Sequence, residues 1–172
     1  MKQIILLAVL TVCTGLSLHA QKFGYMDSNA LIAEMPEVKQ ADAKLETLQK
    51  QLTKQGQQKL QSLQAEYQEL QRKEKQGEIA PKALQAEAEK LKQKELELAQ
   101  YEQDMQNQIL SKRQELYQPI LDRVNTAIKE LAEAEGYTYI FDAASGALLY
   151  ADESTNVTEQ VKAKLLAGGG AQ

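Results

Sequence analysis

Lys73-Glu74-Lys75-Gln76-Gly77-Glu78-Ile79-Ala80-Pro81-Lys82 decides the fold of this chain. The stretch is polar, carries a glycine and a proline four residues apart, and holds too little apolar surface for a core. Glycine commonly stands just past the end of a helix and proline in the first turn of the next. The stretch therefore reads as the tip of a long antiparallel helical hairpin.

Working back from the tip, Val38, Ala41, Leu45, Leu48, Leu52, Leu60, Leu63, Tyr67 and Leu70 recur mostly three or four apart, the spacing of one helix face. The seam breaks between Leu52 and Leu60, where Gln55, Gly56 and Lys59 intervene and the heptad slips towards a longer repeat. Working forward, Leu84, Ala88, Leu91, Leu98, Tyr101, Met105, Ile109, Leu116, Ile120, Val124, Ile128 and Leu131 form the returning arm, and Gly136 ends it. With the turn centred between Gly77 and Glu78, residue i meets roughly residue 155 − i of the other arm. Tyr67 then faces Ala88, and Gly56 faces Ala99 as a close approach of two backbones. The outgoing arm, Glu37 to Gln76, spans on the order of 60 Å at ~1.5 Å per residue.

Outside the arms the period changes. Phe23 and Tyr25 alternate within Lys22-Phe23-Gly24-Tyr25-Met26-Asp27, a short strand; Ser28 or Asn29 caps a helical turn up to Met35. After Gly136, Tyr137, Tyr139 and Phe141 alternate in a second strand, and Ala147-Leu148-Leu149-Tyr150-Ala151 returns as a third. Asn156 followed by Glu159 has the capping-box spacing of a final helix with Val157, Val161, Leu165 and Leu166 on its apolar side. Three strands cannot readily close a core by themselves. The aromatics concentrated on them belong either to a small α+β core or to a β core shared between chains. The fold class is α+β: a helical hairpin, 37–118 with its tip at 73–82, on a small β body from 21–36 and 119–167. A disordered tail, 168–172, follows.

The first twenty residues combine one charge, Lys2, with a short apolar run and the small Ala20, the pattern of a secretory signal cleaved after Ala20. Cleavage removes the sole Cys and the sole His, so thiolate zinc sites and histidine catalysis are excluded from the mature chain. No phosphate-binding loop or nucleophile constellation is present, and no catalytic, metal or cofactor residues are assigned. Without Lys2, 19 basic residues face 24 acidic ones, a net charge of −5 that argues against nucleic acid as a partner. Positive charge collects at the tip, where Arg72, Lys73, Lys75 and Lys82 outnumber Glu74 and Glu78. That excess suits weak, salt-sensitive contact with acidic client segments or an anionic membrane surface. The 19 Gln between Gln40 and Gln118 give the arms a polar, hydrogen-bonding wall.

The order of a signal sequence, Lys22-Phe23-Gly24-Tyr25-Met26-Asp27, a Gln/Lys/Glu-rich hairpin and Gly136-Tyr137-Thr138-Tyr139-Ile140-Phe141-Asp142 resembles the Skp/OmpH family of periplasmic chaperones over the whole mature chain. The resemblance implies a homotrimer whose strands form a barrel-like body, with Phe23, Tyr25, Tyr139, Phe141 and Leu149 in it, and whose arms surround a cavity. It implies ATP-independent holding of unfolded outer-membrane proteins in the periplasm. The acidic net charge departs from the strongly basic character of the best-known members, which shifts weight from charge capture to polar and apolar contacts along the arms. An exported coiled-coil scaffold or adaptor of the cell envelope is the alternative reading.

Overall fold

The computed structural model describes residues 21–168. The expected signal sequence and the last four residues lie outside them. The chain is mostly helical, in the order β1 (Lys22–Met26), α1 (Ser28–Glu34), α2 (Pro36–Gln76), α3 (Pro81–Glu135), β2 (Tyr137–Asp142) and α4 (Thr158–Gly168). α4 thus takes in Gly168, the first residue of the expected tail. Two compact units result. One holds the described residues up to Leu31 and from Val124 onward; the other is Ile32–Arg123.

In the first unit β1 and β2 pair in parallel as a two-stranded sheet. Met26, Leu31, Val124, Leu131, Val157, Val161 and Leu165 are buried beneath it. Gly24 is required by that packing: a Cβ there would stand 3.0 Å from the Tyr137 ring and 3.1 Å from Val157 Cγ1. The pairing steps from Lys22–Tyr137 to Phe23–Tyr139, leaving Thr138 without a partner. This irregularity separates Tyr137, which packs against Gly24, from Tyr139 and Phe141. The plain alternation expected from the sequence put all three rings on one side.

The third strand expected at Ala147–Ala151 is absent: those residues form a loop between 3₁₀ turns at Ala143–Ser145 and Glu153–Thr155. The side of β1 away from β2 is met instead by a bridge at Asn156, where the Val157 amide donates to the Tyr25 carbonyl at 2.8 Å. Two caps also differ from expectation. α1 is capped by Asp27, whose carboxylate accepts from the Ala30 amide at 2.9 Å, rather than by Ser28 or Asn29. Asn156 does accept from the Thr158 amide at 2.9 Å, but Glu159 reaches forward to Lys162 at 3.9 Å, so no reciprocal capping box forms.

In the second unit α2 stops at Gly77, whose φ of 69° is left-handed; the Gly77 and Glu78 amides return to the Glu74 and Lys73 carbonyls at 3.1 and 2.9 Å. This paired closure satisfies the last carbonyls of the helix, and glycine adopts it without a Cβ penalty. Pro81 opens α3, which runs on through Pro119. The link therefore centres between Glu78 and Ile79, one residue later than expected. Across the arms Tyr67 donates to Glu95 rather than facing Ala88, at 3.0 Å, and Lys94 pairs with Glu66 at 2.6 Å. Arg123 closes on Glu37 at 2.8 Å, and the Tyr117 hydroxyl on Asp42.

The broken seam has a different cause from the one expected. Leu52 and Leu63 are buried, but Leu60 is 44 % exposed and does not belong to the seam. The seam position is Gly56. The Tyr101 ring fills it from the other arm, 3.3 Å from where a Cβ would stand, and its hydroxyl donates to the Leu52 carbonyl at 2.8 Å. The close approach is that of an aromatic ring to a glycine, not of two backbones.

Candidate functional site

The pleat sends Gly24 and Met26 into the core, and so sends Phe23 and Tyr25 to the opposite face. The register sets Phe23 beside Tyr139 and Tyr25 beside Phe141. Phe23, Tyr139 and Phe141 form one aromatic triangle, with ring centroids 5.9 Å apart for Phe23–Tyr139, 6.4 Å for Phe23–Phe141 and 6.0 Å for Tyr139–Phe141. Such pairs contribute about 0.5–1.5 kcal/mol each beyond the area they bury. Yet the triangle covers little of itself: Phe23, Tyr139 and Phe141 are 44 %, 57 % and 45 % exposed. Tyr25 is half-buried. Leu149, on the loop that replaces the third strand, is 97 % exposed and Tyr150 83 %. Four of the five residues assigned to the body are thus brought together on one sheet face, and Leu149 is set apart on its loop.

Three exposed rings thus lie contiguously on one sheet face, an apolar patch of the kind that marks association surfaces in other proteins. The outer edge of β2 adds unpaired backbone groups, since its one strand partner among the described residues is β1.

The ends of the sheet are tied by charge and capping. Lys22 donates to the Glu135 carbonyl and carboxylate at 3.1 and 3.2 Å and lies 4.0 Å over the Tyr137 ring. Asp142 accepts from the Ser28 hydroxyl at 2.5 Å and from the Ser28 and Ala144 amides at 3.2 and 3.0 Å. Burial works to raise the Asp142 pKa, but these donors outweigh it and hold the carboxyl below the usual aspartate range. Sequence reasoning missed Asp142 as the anchor of β2; an Asp at a strand end followed by small residues is the signal that was available.

The tip residues differ among themselves. Arg72 makes two 2.9 Å bonds to Glu69, a 3.1 Å contact to Glu78, and a bond to Gln76. Lys73 also reaches Glu69, at 3.5 Å. The Arg72 hydrogen bonds hold the Glu69 carboxyl down at about 2. Glu69, which the sequence window for the tip left out, absorbs much of the positive charge assigned there. Among the described residues Lys75 and Lys82 have no ion-pair partner and are exposed. Ile79, one residue beyond Glu78, is half-buried at a groove of about 590 Å³ between the arms, beside Leu70 and Leu91. Along α3, Leu96 and Leu110 stay 59 % and 67 % exposed.

No helix among the described residues is long and apolar enough to cross a membrane.

Comparison with known proteins places this architecture. The family described as outer membrane protein (OmpH-like) matches residues 22–165. No curated protein sequence matches the chain. A crystal structure of a candidate outer membrane chaperone (OmpH-like) from Caulobacter crescentus superposes with a TM-score of 0.74. The two are 22 % identical, over 87 % of this chain and 86 % of that one, so the likeness is one of fold. With nearly the whole described chain matched, the protein belongs to this OmpH-like family.

Proposed function

We propose that the chain is an ATP-independent holdase of the periplasm, reached by export and cleavage after Ala20. It works as a homotrimer that keeps unfolded outer-membrane proteins between its arms for delivery to the outer membrane. Family membership and the likeness in fold to a candidate chaperone support this reading. The observation that carries it is the exposed triangle of Phe23, Tyr139 and Phe141 beside the free edge of β2. One chain leaves these rings in water; in the trimer they meet their counterparts, and Leu149 joins them. Residues 37–118 form the client-holding arm, whose many weak polar and apolar contacts add by multivalency without a tight single site.

At the tip, Lys75 and Lys82 carry weak contact with client or anionic lipid, while Arg72 and Lys73 mainly stabilise the turn through Glu69. Lys75→Glu with Lys82→Glu weakens sedimentation with anionic vesicles at low salt and leaves the molar mass unchanged. A loss of assembly in that variant overturns the division of labour between tip and body.

Light scattering on the mature chain tests the assembly, with a mass of three chains expected. Aggregation of a denatured β-barrel protein, followed without nucleotide, tests the activity. Suppression at equimolar trimer is expected; aggregation unaffected by a several-fold excess counts against a holdase and favours the scaffold reading.

A further inference from the structure

We infer that Gln21 is a self-closing site: the exported chain converts its first residue to pyroglutamate. The inference rests on the proposed cleavage after Ala20. Cleavage there exposes a glutamine, whose side-chain amide can close an unstrained lactam with its own α-amine. The α-nitrogen attacks Cδ. A new N–Cδ bond forms, the Cδ–Nε2 bond breaks, a proton passes from the attacking to the departing nitrogen, and ammonia leaves. No oxidant, reductant or co-reactant is consumed. An α-amine titrates near ~7.7–8.0, so a useful fraction is unprotonated and nucleophilic at neutral pH.

The fold sets the site at the right place. Gln21 is exposed and outside β1, and among the described residues it has no hydrogen-bond partner that closure would break. Lys22, immediately after it, is already fixed: it pairs with Tyr137, and its ammonium is held by Glu135 at 3.2 Å. One residue is thus free to cyclise while the next is committed to the sheet. Closure has two consequences for that sheet. It removes a positive charge from the residue next to Lys22, whose own ammonium is held by Glu135. It also denies aminopeptidases the free amine they need, and trimming by two residues would delete Lys22 and the first pair of β1.

The test uses the full chain, expressed with its own first twenty residues in a host that exports it. The periplasmic fraction is analysed at once by intact mass and N-terminal sequencing, and again after incubation at neutral pH. A chain starting at residue 21, lighter by one ammonia and blocked to sequencing, supports the inference, as does a blocked fraction that grows to completion on incubation. A free Gln21 that persists undiminished overturns it while leaving the export reading intact. A chain starting anywhere else overturns both. Gln21→Ala, which lacks the amide, stays open to sequencing and keeps its full mass; a blocked Gln21→Ala chain overturns the assignment to Gln21.

Discussion

Tyr101 and Gly56 act as one unit. A glycine in a helix interior costs about 1 kcal/mol relative to alanine, yet α2 carries Gly56 in its middle because the Tyr101 ring occupies the space of a side chain. The two substitutions are therefore coupled. Gly56→Ala raises stability by about 1 kcal/mol when Tyr101 is already Ala. With the ring present the gain is clearly smaller or turns into a loss, because the ring must yield a few tenths of an ångström. Thermal or urea melts of the four variants measure the difference, and simple additivity contradicts the packing described. Asp142 gives a second residue-scale prediction. Its folded pKa lies below the ordinary value, so the stability it lends is complete above the ordinary aspartate range near ~3.9 and is lost as pH falls through the lowered value. Asp142→Asn is accordingly less stable than the parent at neutral pH, and the gap narrows as melts are repeated towards pH ~3.

At the scale of elements, Gly24 is where sheet and core are least forgiving. Gly24→Val inserts atoms into a space already bounded at 3.0 Å by the Tyr137 ring and at 3.1 Å by Val157, with overpacking costing about 1–3 kcal/mol. A lowered melting temperature is expected, together with loss of the Lys22–Tyr137 pairing in hydrogen exchange; an unchanged melt contradicts the buried setting of β1. The hairpin was legible because its signals are local: Gly77 and Pro81 punctuate it, and an apolar spacing of mostly three and four runs along most of both arms. The two paired strands were legible by their alternation. What the residues did not disclose depends on partners distant in sequence. Leu60 has the spacing of a seam residue, yet it stands 44 % exposed, while the Tyr101 ring from the other arm fills the seam at Gly56. Ala147–Ala151 has strand composition, but the place beside β1 is taken by Asn156. Tyr137 alternates with Tyr139 and Phe141, and the unpaired Thr138 separates them. The tip charges were counted correctly, but the count began three residues after Glu69.

For the whole molecule, the aromatic triangle and the tip make separable demands. Phe23→Asp with Tyr139→Asp places charge on the exposed sheet face while leaving Gly24, Met26 and the buried set untouched. Light scattering on this variant is expected to give the mass of a single chain, with far-ultraviolet dichroism still strongly helical. A trimer that survives both changes places the assembly surface elsewhere. On the proposed holdase reading, client holding falls with the loss of assembly, because contacts that add by multivalency are lost.

The parallel pairing of β1 with β2 has a consequence in time. Lys22 and the Glu135 that holds it are 113 positions apart, and β2 begins only afterwards. A chain that emerges N-terminus first presents β1 early and leaves it unpaired until nearly all the arm residues have followed. Local contacts form ahead of distant ones, so the hairpin can zip from its tip while the sheet waits. A product that stops short of Tyr137 can have its arms but never its sheet, and without the sheet it lacks the aromatic face. The aromatic face therefore cannot exist until synthesis has passed Phe141, however much of the hairpin has already folded.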